Sequence, residues 1–206
     1  MKSKHKITTL IVSAVVIAAV AAAVLLSGKA GAGNRDIDLS DIETMNIGAE
    51  MPKLIYSDSD TAVMHGTFGL LAVDLNTEKI IGRISYDEMS QNDISMPDVS
   101  VSKDGKRIFI TDMDTGKIYK CSIQSGKISA VSEIDDKLFS TTEVNLYDKQ
   151  YREYFDFNYL VGESIIQNGD SYLYLRAAAD WSMKSLQLVE CNSETKSEIR
   201  VIDIFE

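Results

Sequence analysis

The stretch 98–134, DVSVSKDGKRIFITDMDTGKIYKCSIQSGKISAVSEI, is a succession of short apolar runs cut by polar turns, and its reading decides the fold. Lys103-Asp104-Gly105-Lys106 precedes Arg107-Ile108-Phe109-Ile110. An Asp-Gly pair suits a tight hairpin because glycine accepts positive φ cheaply. Asp114-Thr115-Gly116 and Ser125-Gly126 close the next two connections, so the stretch predicts four short strands in a row. The run 107–110 alternates as a strand does, yet it is apolar enough to be buried on both faces.

Outward from this stretch the pattern recurs. Residues 53–86 read KLIYSDSDTAVMHGTFGLLAVDLNTEKIIGRISY, and residues 163–204 read ESIIQNGDSYLYLRAAADWSMKSLQLVECNSETKSEIRVIDI. Each holds a strand, a polar turn, a second strand, a loop, a third strand, a turn and a fourth strand; Asn168-Gly169-Asp170 supplies a hairpin in the last. Four-stranded units at this spacing are how propeller blades read, and a closed propeller takes about four to eight of them. Three are visible here. The expected fold is therefore all-β, a partial or open β-propeller-like array of about three four-stranded units, with a degenerate fourth unit within 135–163 as the alternative.

VSVSKDGKRIFITD (99–112) and the Thr-Gly-Lys turn after it resemble a blade of the seven-bladed, surface-layer and TolB-like propeller repeats. Residues 54–110, with HGTFGLLAVDLNTEKIIGRISY at 65–86, resemble the extracytoplasmic repeat region that accompanies β-lactam-sensor-type membrane metallopeptidases of Gram-positive bacteria. The resemblance implies an accessory domain outside the membrane. It does not extend to the peptidase, which needs an H-E-x-x-H helix, whereas the histidines of this chain are His5 and His65.

The first residues point the same way. Lys2, Lys4 and Lys6 precede twenty residues, 7–26, that carry no charge. At about 1.5 Å per residue that is a helix of about 30 Å, the thickness of a bilayer's hydrocarbon core. Residues 1–29 are expected to be an N-terminal basic segment with a transmembrane anchor or signal peptide, 30–51 a linker and 52–206 the extracytoplasmic β-repeat domain. Within the linker, 36–43 (DIDLSDIE) reads as a short docking helix or a solvated strand. Gly28-Lys29-Ala30 offers a small-x-small site for cleavage after Ala30, which would release the domain. An apolar run of twenty exceeds the roughly 7–15 of a signal-peptide core, which favours a retained single-pass anchor. The lysines before it place the N-terminus in the cytoplasm and the domain outside.

The 206 residues carry 21 Lys and Arg against 31 Asp and Glu. Residues 1–29 hold four of the lysines and no acid, which leaves the remainder at −14. Such a surface repels phosphate backbones, so nucleic acid is not an expected partner, and anionic headgroups are repelled too. No G-x-S-x-G, P-loop or dinucleotide-binding glycine pattern occurs, and no cofactor or metal is expected.

Cys121 and Cys191 each precede the turn that ends a third strand, in different units. Equivalent points on packed sheets lie about 10 Å apart, beyond the roughly 7 Å that a disulfide spans, so two separate thiols are expected. Asp58-Ser59-Asp60 and Asp112-Met113-Asp114 have the alternating acids of a calcium loop, but no later bidentate acid follows Gly116 within twelve residues, so turns are expected. His65, beside Gly66, Phe68 and Gly69, reads as a strand-end residue at a glycine-rich corner; a nucleophilic dyad with a cysteine is the sharper alternative. The candidate binding residues lie at 147–159, YDKQYREYFDFNY: Tyr147, Tyr151, Tyr154, Phe155, Phe157 and Tyr159, with Trp181 of the Ala-rich loop 177–185. Tyrosines give large, rigid contact area with a polar tip. The sequence thus leads to a non-enzymatic, membrane-tethered extracytoplasmic binding or sensing domain with a protein or cell-envelope partner. A cell-envelope hydrolase and an assembly subunit are the alternatives. Intact-mass measurement of the chain recovered from membranes is expected to show residues 1–30 retained; loss of mass at Ala30 would identify a cleaved signal instead.

Overall fold

The structure is a computed structural model and describes residues 37–86, 97–123, 127–143 and 160–205. The expected anchor at 7–26 lies outside the described residues, among which no helix is long and apolar enough to cross a membrane. Among the described residues, thirteen strands form three antiparallel sheets. The first sheet is the meander β1 (Lys53–Ser57), β2 (Thr61–Gly66), β3 (Gly69–Asp74) and β4 (Lys79–Ile84). The second is β5 (Asp98–Val101), β6 (Ile108–Thr111), β7 (Ile118–Ser122) and β8 (Lys127–Val131). The third runs through β10 (Leu160–Asn168), β11 (Ser171–Arg176), β12 (Gln187–Asn192) and β13 (Glu198–Asp203), with the two-residue β9 (Thr142–Glu143) added beside β10.

The three four-stranded units expected from the sequence are therefore present. No strand of one sheet pairs with a strand of another among the described residues, so the arrangement is compatible with a propeller-like array but is not a closed one. Gly105 and Gly169 turn at φ 69° and 58°, as their hairpins require. The third unit begins four residues before its visible alternation, because a bulge interrupts β10 between Val161 and Ile165.

The first sheet lies between the other two. Along β2 and β3, Ala62, Met64, Leu71 and Val73 join Leu173, Leu175, Leu188 and Ile202 of the third sheet in one core. Val63, Leu70 and Ala72 join Val101, Ile108 and Ile110 of the second sheet in another. Strand alternation sends neighbours to opposite faces, so a sheet buried on both sides must be apolar at every position, which is why GLLAV at 69–73 is unbroken. Each fully buried Leu, Ile or Met contributes on the order of 1.5–3 kcal/mol.

Two chain segments tie the sheets together. Residues 37–51 lie over the first core: Ile42 and Ile47 are buried in it, and Asn46 bridges Ser182 of the third unit. The stretch 36–43 is neither helix nor strand where it is described; it runs through turns at 40–44, and the one α-helix nearby is α1 (Ile47–Glu50). Arg83 holds this segment by paired bonds to Asp41 at 2.7 and 2.6 Å. The second segment, 137–143, leaves β5 and reaches β10. Leu138 bridges Ser102, the Phe139 N–H donates to the Val101 carbonyl at 2.7 Å, and Thr142 pairs Ile165. Phe139 packs against both cores and meets Tyr56 edge to face, with ring centroids 5.0 Å apart.

The first strands β1 and β10 approach most closely at the bulge. Gly162 has φ 73°, and a Cβ there would lie 2.4 Å from the Pro52 carbonyl oxygen. Gly162→Ala is expected to lower the unfolding free energy by about 1–3 kcal/mol in denaturant titration. Ile199→Ala, on an exposed side chain, is expected to stay within about 0.5 kcal/mol of the parent.

Candidate functional site

A cleft in which charged and polar groups converge lies between β1 of the first sheet and β5 of the second. It has a volume of about 160 Å³. Lys53, Ile55 and His65 line one side, Pro97 to Val101 the other, and Phe139 and Thr141 of the linking segment complete it. The hairpin of β1 and β2 sets the first side: Lys53 and His65 are directly opposed across the two strands, so ammonium and imidazole share a face. The second side brings Asp98 from a different sheet.

His65 is mostly buried. Burial, and then Lys53, push its pKa down to about 4, while Asp98 acts in the opposite direction. The ring is neutral at pH 7, with the Tyr86 hydroxyl 3.4 Å from Nδ1. Lys53 and Asp98 are both exposed, and neither takes part in an ion pair among the described residues. The cleft therefore presents one positive and one negative group, not neutralised by each other, on either side of an uncharged imidazole.

The geometry does not activate a cysteine. Cys121 is buried in the second core, and burial pushes its thiol up to about 12, the reverse of what a nucleophile needs. Burial, and then Cys121, push the Tyr86 hydroxyl up. Cys191 is buried on the far face of the third sheet. The two thiols are separate, as the repeat implies, and stand on the third strands β7 and β12.

The acidic pairs serve their own turns. Asp112 Oδ1 accepts from the backbone N–H of Asp114 and Thr115 at 3.0 and 3.3 Å, and its Oδ2 takes the Thr115 hydroxyl at 2.6 Å. Asp74 makes the same bonds to Asn76 and Thr77, and Asn192 makes them to Glu194 and Thr195. An amide does the work of the carboxylate in the third case, so the turn and not a cation explains the residue type. Asp58 likewise accepts from Asp60 and Thr61. No group of three or more His, Cys, Asp or Glu side chains among the described residues is placed to hold a metal.

Of the binding residues expected from sequence, Tyr147, Tyr151, Tyr154, Phe155, Phe157 and Tyr159 lie outside the described residues. Trp181 is 37% exposed at φ 51°, in the β11–β12 connection, where its carbonyl accepts from the Ile47 N–H; it does not line the cleft. Lys53, Asp98 and Phe139 went unmarked. The Lys53–His65 pairing follows from the hairpin register and was open to reading, but Asp98 arrives from another sheet and left no local signal.

No protein-family model and no curated protein matches the sequence. Among solved structures, a chain of Kuenenia stuttgartiensis hydrazine synthase aligns with 82% of this chain and 52% of its own length, at 12% identity and a TM-score of 0.29. This chain thus corresponds to about half of that one, and a likeness at that level transfers neither fold detail nor activity.

The depressed His65 pKa has a consequence for stability. Above its ordinary 6.5 the ring is neutral folded or unfolded and contributes nothing; between 6.5 and about 4 the unfolded chain binds a proton that the native state refuses. Stability is expected to fall as pH drops through that window and to level off below it, by on the order of 3 kcal/mol at the fullest. The carboxylates of Asp74, Asp104 and Asp112, held below 3.8 by bonds from Thr77, Ser102 and Thr115, act only at lower pH. Denaturation of His65→Gln and the parent side by side between pH 7 and 4 should show the parent losing stability relative to the variant as pH falls below about 6.5, and no such change above it.

Proposed function

We propose that this chain is a non-enzymatic binding or sensing domain, tethered by residues 7–26 on the outer side of a membrane, which takes a small polar ligand in the cleft between β1 and β5. The observation that carries this reading is the pairing, across that cleft, of Lys53 and Asp98 without an ion pair between them. Charged side chains on a surface are solvated anywhere, but here two of opposite sign border a concavity floored by Ile55 and Phe139, beside a buried imidazole. Polar groups that converge on a concavity fix the orientation of a small ligand. The surface-layer and TolB-type likeness of 99–112, and that of 65–86 to the accessory region of β-lactam-sensor-type proteins, fit a recognition domain outside the membrane.

His65 is a natural reporter. In a His5→Ala chain it is the single histidine, so its ring protons are read without overlap. A panel of small anions, cations, zwitterions and neutral polyols is expected to include at least one compound that moves the His65 ring signals in proton NMR. The same compound should raise the melting temperature, since a ligand at about 100 times its Kd stabilises by about 2.7 kcal/mol. A panel that leaves both readouts unchanged would remove the cleft as a binding site.

A further inference from the structure

The two charges of the cleft also constrain what it can hold. A simple anion is drawn to Lys53 and repelled by Asp98, and a simple cation meets the converse, so a ligand of one sign gains at one wall what it loses at the other. A ligand that carries both signs satisfies both walls. Size narrows the choice further. At about 160 Å³ the cleft is well below the roughly 300–1,000 Å³ of sites for drug-sized ligands. The rest of the lining is mixed: Ser100 and Thr141 stand beside Ile55, Val101 and Phe139. His65 adds a neutral ring, so it does not tip the charge balance that Lys53 and Asp98 set.

We propose that the cleft binds a single free α-amino acid with an aliphatic side chain, its carboxylate at Lys53, its ammonium at Asp98, and its side chain on Ile55 and Phe139. This rests on the reading of the cleft as a small-ligand site and specifies the ligand class. Both charged residues are exposed at the ends of their strands, and their replacement removes no buried group.

The test uses the full-length chain with His5→Ala, read by His65 ring shifts and by calorimetric titration. The probes are L-leucine, L-leucinamide, which lacks the carboxylate, and 4-methylpentanoate, which lacks the ammonium. L-Leucine or another aliphatic amino acid is expected to bind, and the amide and the acid to bind at least about tenfold more weakly, which corresponds to about 1.4 kcal/mol for each charge. Lys53→Gln should level L-leucine with L-leucinamide, and Asp98→Asn should level it with 4-methylpentanoate, while the melting temperature without ligand stays unchanged. Binding of the amide or the acid as tight as that of the parent amino acid overturns the proposal, as does failure of every aliphatic amino acid to bind. If amino acids fail while another small polar compound still shifts His65, the ligand class is wrong and the cleft remains a binding site. If nothing shifts His65, both fall.

Discussion

Val63, Leu70 and Ala72 point to one side of the first sheet, and Ala62, Met64, Leu71 and Val73 to the other, so neither side of that sheet can be left to water. A single meander with two apolar faces has no stable existence alone; it needs a layer on each side. The second and third sheets are those layers. Residues 37–51 close the rim of one interface, and Phe139 wedges into both. The order of the sheets in space, with the first in the middle, follows from that constraint and not from their order along the chain.

The same constraint makes the cleft. Segment 137–143 has to travel from the edge of β5 to the edge of β10, and Phe139 fills the gap beside Tyr56. Next to that plug, the open ends of β1 and β5 are left with polar residues: Lys53 at the start of one strand and Asp98 at the start of the other. His65 is caught between exposed charges and the core. Desolvation is the largest influence on its titration, ahead of the opposing effects of Lys53 and Asp98. Tyr86 then offers the ring a hydroxyl in place of water.

Much of the fold was open to reading because it is local. The hairpins at Gly105 and Gly169 need positive φ, and the turns at Asp74, Asp112 and Asn192 need a side-chain oxygen that accepts two backbone N–H groups, so the turn chemistry is written in the residues that make it. The positions of Cys121 and Cys191 ahead of equivalent turns implied separate sheets, and separate sheets they occupy. The start of β10 escaped notice because the Gly162 bulge shifts the alternation by which a strand is recognised. Residues 36–43 misled for a related reason: Leu39 and Ile42 fit either a helix or a strand in spacing, but the core takes them from a turn.

By itself, then, the sequence determined three four-stranded units, their turns, two thiols on separate units and an acidic composition, since each depends on neighbours a few residues apart. It also marked 107–110 as apolar enough to be buried on both faces, and Ile108, Phe109 and Ile110 are all buried. What only the tertiary structure decided is which surfaces meet. Asp98 faces Lys53 and His65 across a gap between sheets, and Phe139 closes that gap from more than thirty residues further along; no period or motif encodes such a meeting. The cleft arises from packing three sheets about a doubly apolar one, and packing is a property of the whole chain.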